Sequence, residues 1–309
     1  MLYRMVPLTR GVALAVLCIC TTSLFGAEQL VIAERGKAAE YSIVVPENAS
    51  PVLTYAAEEL RDFTEKVTGV KLPIVTDAAA LPERAIAIED VSSGVGHAAN
   101  VFAAPRGGDD GFHLKVEGDR LRIIGENGRG VLYGVYEVLE RFAGCRWYAS
   151  WHSVIPIRDR IEIPANLDET QTPAFAMREP YWYDVTKNQE FAARLRVNSR
   201  SWKSFDEKYG GNPYRFGGKL GSCHTFEQLL PQDKYFDAHP EYFSMIDGKR
   251  VRGKTQPCLT NPDVLRIVTS NVLERIRQDP GAKFYGVSQE DNNQYCRCPK
   301  CKADAVEHV

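Results

Sequence analysis

Two adjacent carboxylates, Glu290 and Asp291, stand in a polar run with Ser288, Gln289, Asn292 and Asn293. The run directly follows the short apolar stretch 284–287, which reads as a strand. Hydrolysis of a glycosidic bond needs two carboxyl groups flanking that bond, one of them protonated at the working pH. Neighbouring side chains on an extended segment point to opposite sides, so only one of these two would face a substrate. Asp291 and Glu290 are therefore candidates for a single catalytic acid, with the partner carboxyl supplied elsewhere. Asn292 on the same tip is a candidate substrate contact. The plain alternative is a solvated acidic loop after a core strand.

Three cysteines follow at once, Cys296, Cys298 and Cys301, in a C-x-C-x-x-C pattern. If Cys223, Cys258 or His224 were brought close, four ligands could hold zinc tetrahedrally. In an oxidising compartment, Cys223 or Cys258 could instead pair with a member of the cluster as a disulfide. Free thiols are the third possibility. Upstream, His224 follows a glycine-rich stretch (Gly210, Gly211, Gly217, Gly218, Gly221) and could hydrogen-bond a sugar hydroxyl or a uronate carboxylate. Arg178 suits a carboxylate bidentately. Trp182 suits the face of a pyranose ring. Asp184, His239 and Asp247 are weaker candidates, and each residue named here could equally be structural.

These side chains need a frame. The chain has 309 residues, 44% hydrophobic and 25% charged, with a net charge of -2, which gives no basic face for nucleic acid. At the N-terminus, Arg4 and Arg10 precede an apolar run, 12–20, followed by small residues up to Gly26 and Ala27. That is the pattern of a cleaved secretory signal over 1–27. The run is short for a membrane anchor, which needs about 20 apolar residues. A secreted or periplasmic protein with no membrane span in its mature chain is expected.

Residues 28–165 read as one α/β domain. Strands are expected at 30–33, 41–45, 70–75 and 85–88. Ser50-Pro51 opens a helix whose Leu53, Ala56, Ala57, Leu60, Phe63 and Val67 share one face, and Gly69 ends it. Segments 112–116 and 121–124 flank Gly118-Asp119 as a hairpin. Gly125-Glu-Asn-Gly-Arg-Gly130 then enters a second helix ending at Gly144. This turn lacks the dinucleotide-binding spacing, so a tight strand-to-helix turn is favoured over a phosphate cradle. A last strand is expected at 161–163. Residues 166–173 read as a polar linker. From 174 to 309, strands at 174–177, 197–198 and 284–287 alternate with helices at 190–195 and after the Asn261-Pro262-Asp263 cap. That order argues for a parallel α/β arrangement.

The runs YAAEELRDFTEKVTGVKLPIV and GFHLKVEGDRLRIIGENGRGVLYGVYEVLERFAGCRWYA resemble the N-terminal domain of bacterial α-glucuronidases, which is also the second domain of β-hexosaminidases. The segment HTFEQLLPQDKYFDAHPEYFSMIDGKR, with QPCLTNP and CRCPKC, is similar to a bacterial domain that follows this module and is grouped with glycosidase barrels. The resemblance implies an α/β sandwich beside a (β/α)8 barrel, with the sandwich carrying no catalytic acid. An Asn-Asp pair at the acidic tip of that family favours Asp291 over Glu290. A complete barrel takes about 250 residues, so 174–309 is expected to hold only its first part, with the second carboxylate beyond Val309. The implied partner is a polysaccharide or oligosaccharide, and no cofactor is implied. The expected function is that of a glycoside hydrolase, with a non-catalytic glycan-binding module as the alternative.

Overall fold

A computed structural model describes residues 28–77, 82–91, 110–200, 203–217 and 223–307. The expected signal segment 1–27 and two glycines of the loop before His224, Gly218 and Gly221, lie outside the described residues.

A six-stranded mixed sheet carries the first half. Its strands are β2 (Ser42–Pro46), β3 (Ile74–Asp77), β4 (Ala85–Asp90), β5 (Phe112–Glu117), β6 (Arg120–Gly125) and β10 (Asp168–Gln171). They lie in the order β10-β5-β6-β4-β2-β3. β3, β2, β4 and β6 run parallel, whereas β6, β5 and β10 pair antiparallel. The β5–β6 hairpin turns at Gly118, whose φ of 61° is easily reached only by a residue without Cβ.

Two helices, α1 (Pro51–Thr68) and α2 (Gly128–Val138), pack side by side on this sheet. All six apolar residues of the expected α1 face are buried. They meet Ile43, Ile86, Ile88, Leu121 and Ile123, alternate residues of β2, β4 and β6. Burying one such side chain contributes roughly 1.5–3 kcal/mol, so this contact carries the module. α1 ends at Gly69 in a left-handed turn. At its start Ser50 has the extended backbone of an N-cap, but its hydroxyl is buried and makes no hydrogen bond. The glycine-rich turn before α2 is the tight junction expected. Asn127 accepts from Gly130 N–H, and a Cβ on Gly130 would lie 2.2 Å from the Gly111 carbonyl. A π-helical turn, 139–143, carries α2 to Gly144.

The strands expected at 30–33 and 161–163 form and pair with each other, whereas a hairpin at 146–154 was not expected. β1 (Gln29–Glu34) pairs antiparallel with β9 (Arg160–Pro164), and β7 (Arg146–Ala149) with β8 (His152–Val154). The stretch read as a linker, 166–173, contains β10, the edge strand beside β5.

Beyond β10 the chain forms α3 (Tyr183–Lys187), α4 (Gln189–Arg194), α5 (Phe226–Leu229), α6 (Gln232–Tyr235), a two-stranded hairpin of β11 (Met245–Ile246) and β12 (Lys249–Arg250), α7 (Pro262–Gln278) and α8 (Pro299–Glu307). The Asn261 cap of α7 is as expected, with Asn261 Oδ1 accepting from Asp263 N–H at 2.9 Å. Among the described residues no continuous strand forms at 174–177, 197–198 or 284–287. Residues 174 and 176 are bends, and the segments pair only at single points. Asn198 N–H donates to Arg178 O at 3.2 Å, Gly217 N–H to Phe284 O at 2.7 Å, and Phe216 makes one parallel bridge with Phe284. A strand needs a continuous hydrogen-bond ladder to at least one neighbour, and here each segment shows isolated contacts. No described helix is long and apolar enough to cross a membrane.

Three buried contacts tie 174–217 to the α/β module. Arg194 binds Glu59 through two bonds of 3.0 Å and lies over the rings of Phe63 and Trp147. Tyr133 donates to Val197 O at 3.2 Å. Asp110, with no exposed side-chain surface, accepts from Arg129 at 2.9 Å, Arg178 at 2.6 Å and Asn198 at 2.8 Å. Burial alone would push the Asp110 carboxyl up, but Arg129 and the bonds from Arg129, Arg178 and Asn198 outweigh it and hold the carboxyl below its ordinary value.

Candidate functional site

The acidic tip, 288–293, hangs between two fixed flanks. On one side Thr225 N–H donates to Ser288 O at 3.2 Å, and Ser288 N–H donates to Thr225 Oγ1 at 2.8 Å. On the other side lies Gln256, which is buried. Its Oε1 accepts from Glu290 N–H at 2.9 Å, and its Nε2 donates to Glu290 O at 2.8 Å and to Asn292 O at 3.1 Å. Gln256 thus plays the part of a neighbouring strand for a loop that has none. Asn292 shapes the same turn. Its Oδ1 accepts from Gln256 Nε2 and Gln294 N–H, and its Nδ2 donates to Lys254 O at 2.9 Å. Asn292 is therefore a framework residue first, and its amide is occupied within the loop.

The two candidate acids differ in setting. Glu290 is half-buried, and its carboxylate accepts from Glu227 N–H at 3.0 Å. Asp291 projects from the tip and is exposed. Glu227 escaped the sequence reading. Burial first, and the nearby Glu290 and Asp233 charges after it, push its carboxyl above the ordinary carboxylate value against the opposing bond from Gln232 N–H. Its place in HTFEQL, three residues after His224, was its one sequence signal.

His224 holds a left-handed backbone, φ 56°, unusual for a residue with a Cβ. Its Nδ1 lies 3.1 Å from Gln289 O. A carbonyl can only accept, so Nδ1 carries the proton in that bond and Nε2 is the basic nitrogen of the neutral ring. His224, Glu227, Glu290 and Asp291 are thus gathered on one loop system.

Arg178 and Trp182 make none of these contacts. Arg178 was expected to meet a substrate carboxylate, but its guanidinium already binds Asp110, Arg196 O and Phe175 O and lies over the Tyr133 ring. It locks the two halves of the chain together. Trp182 is 47% exposed, packs edge-on against Phe191 and belongs to a group of exposed rings. The Tyr148–His152 turn holds Trp151, 80% exposed, and reaches this group through Ser150 N–H, which donates to Asp184 at 2.9 Å.

Beside the tip, the sulfurs of Cys258, Cys296, Cys298 and Cys301 all lie within 4.8 Å of one another. Cys258 is 3.8 Å from Cys298 and 3.7 Å from Cys301. Cys223 and His224 are not part of the group. All four thiols are free. An open cleft of about 400 Å³, lined by Cys258, Cys298, Arg250, Glu241 and Lys300 among others, borders the cluster.

A family model described as "Domain of unknown function (DUF4838)" matches residues 147–308, just over half of the chain. The chain belongs to that family. The DUF4838 segment follows a match to "Glycosyl hydrolase family 67 N-terminus" over residues 30–138, so the resemblance read from the sequence holds for both parts. The family match begins inside β7, although β9 and β10 complete sheets of the first module. Among curated relatives, Alpha-glucuronidase A of Emericella nidulans is 34% identical over 106 residues, which is 33% of this chain and 12% of that protein. Alpha-glucuronidase A of Aspergillus tubingensis is 59% identical over 34 residues, 11% of this chain and 4% of that protein. The chain thus spans only a small part of the length of these relatives. Two solved structures are also similar. A family GH115 4-O-methyl-alpha-glucuronidase has 14% identity and a TM-score of 0.37, covering 54% of this chain and 25% of that one. Streptomyces plicatus N-acetyl-beta-hexosaminidase has 13% identity and a TM-score of 0.37, covering 80% of this chain and 42% of that one.

Proposed function

We propose that this chain belongs to an exported glycoside hydrolase that cleaves a glycosidic bond in a uronic-acid-containing polysaccharide in its full-length form. The observation that carries this reading is the match to the glycosyl hydrolase family 67 N-terminus over residues 30–138, together with a stretch of 106 residues that is 34% identical to an alpha-glucuronidase. In this reading residues 174–309 are the first part of a glycosidase barrel. The loop after 284–287 then sits where such barrels carry their chemistry, at the carboxyl ends of the strands. Asp291 is the catalytic carboxyl, because it is exposed on the tip while the Glu290 carboxylate and the Asn292 amide are held by neighbouring groups. Glu290 and Asn292 hold that loop in place. His224 offers Nε2 to a sugar hydroxyl, and Glu227 is a second carboxyl on the flank.

The test is a glycan panel assayed with the full-length protein and its Asp291→Asn variant. Removing a general acid is expected to lower kcat/KM by about 10²–10⁴-fold. Unchanged turnover in the variant removes Asp291 from the mechanism. The exposed rings at Trp151, Trp182 and Tyr183 favour one second reading, a glycan-binding module without turnover. That reading expects saturable oligosaccharide binding weakened by Trp182→Ala, with no hydrolysis of any glycan by the parent protein.

A further inference from the structure

We propose that Cys258, Cys296, Cys298 and Cys301 form a tetrathiolate zinc site that fixes the acidic loop. Three independent features support the assignment. The first is spacing. Four sulfurs around one zinc at about 2.3 Å lie about 3.8 Å apart along the edges of the tetrahedron, and Cys258 stands 3.8 Å and 3.7 Å from two of the others. A disulfide would bring two sulfurs to about 2.05 Å. The gathering is also four-way, whereas pairing needs only two partners at a time.

The second is the donor set. Four thiols without a carboxylate or imidazole select a soft or borderline ion, and four protein ligands leave no open position for a reacting water. That is the pattern of a structural site. Cys258, Cys296 and Cys298 are buried, so the site is closed on most sides.

The third is the surroundings of the sulfurs. Met245 N–H points at Cys296 Sγ from 3.4 Å, Arg250 Nη1 lies 3.5 Å from the same sulfur, and the Thr260 hydroxyl is 3.1 Å from Cys301 Sγ. Donors and a positive charge aimed at sulfur suit thiolates, whose negative charge they offset.

The position gives the site its role. Cys258 lies two residues after Gln256, the side chain that holds Glu290 and Asn292. Cys296 lies four residues after Asn292. Zinc would therefore clamp both supports of the tip, joining the start of α7 to the start of α8 across a separation of 40 residues. This proposal does not depend on the chain being a hydrolase.

The experiment uses the full chain purified with reductant and without added metal. Elemental analysis is expected to give one zinc per chain. Replacing it with Co(II) is expected to give the intense sulfur-to-cobalt charge-transfer and d–d bands of a tetrahedral tetrathiolate. Cys298→Ser should reduce bound zinc at least tenfold, while Cys223→Ser and Cys145→Ser leave it unchanged. Removing zinc from the parent protein should speed amide exchange at 288–294. Should Cys298→Ser fail to fold, the cobalt spectrum of the parent protein still decides. The proposal is overturned by a parent protein that takes up neither zinc nor Co(II), by loss of zinc in Cys223→Ser, or by intact-mass and peptide analysis placing the four cysteines in two disulfides in protein from its native compartment.

Discussion

From Gln29 to Gln171 the chain closes an apolar core beneath a continuous sheet. From Cys223 to Glu307 it carries a small apolar cluster of Leu229, Leu230, Tyr242, Phe243, Val264 and Val268, and two adjacent strands of two residues each. The first region is held by area, because many interchangeable aliphatic contacts each contribute a little. The second depends on particular atoms. Gln256 stands in for a strand, Thr225 for another, and four sulfurs meet where a core would otherwise be. A region of the first kind tolerates conservative change and supplies rigidity. A region of the second kind can place a loop accurately, but single polar substitutions undo it. Between them lies a buried ionic seam.

That seam should give the largest effect. Asp110→Ala leaves Arg129 and Arg178 buried without their shared carboxylate, and we expect a loss of about 4 kcal/mol in chemical denaturation. The carboxyl is lowered in the folded state, so its contribution is fully present above the ordinary carboxylate pKa and is lost as pH falls through the lowered folded value. The parent protein should therefore lose stability on acidification in a way that Asp110→Ala does not. Equal acid sensitivity in the two proteins would remove the seam from the comparison.

Next is the core. Leu60→Ala empties a fully buried site on α1 and should cost about 3 kcal/mol, felt across the whole module. Gln256→Ala should cost about 2 kcal/mol, because it leaves the Glu290 and Asn292 backbone groups without their partner. Its signature is local: faster amide exchange at 288–294 with the module's exchange unchanged. Slower or unchanged exchange there would mean that the tip is held by something other than that side chain. Smallest is Arg252→Ala. Its partners Asp233 and Asp237 are at least 80% exposed, so water screens the pair and the denaturation midpoint should not shift measurably.

The division also explains what was legible in the sequence. The α1 face, the β5–β6 hairpin, the Gly69 and Gly144 stops and the Asn261 cap are written within a few residues of where they act. β10 was not, because a short polar segment becomes a strand only beside β5, more than fifty residues earlier. Arg178 looked ready for a substrate because its partner Asp110 is 68 residues away. The acidic tip was found as a motif, whereas its support by Gln256, 34 residues upstream, could not be. Of the cysteines, the tight triplet announced itself. Which distant ligand joined it was a matter of folding, and Cys258 was one of three candidates with Cys223 and His224.

Arg194 carries one more consequence. Its guanidinium covers Phe63 and Trp147, and Val185, Phe191, Ala192, Ala193, Val197, Phe205 and Tyr209 belong to the same apolar cluster as the sheet. The cooperative folding unit therefore runs past the end of β10 to about Gly211. A gene fragment cut at the family border, or at Pro173, would give a product with an uncovered greasy flank and a strong tendency to precipitate. Cloning boundaries for expressing the module on its own belong after that cap.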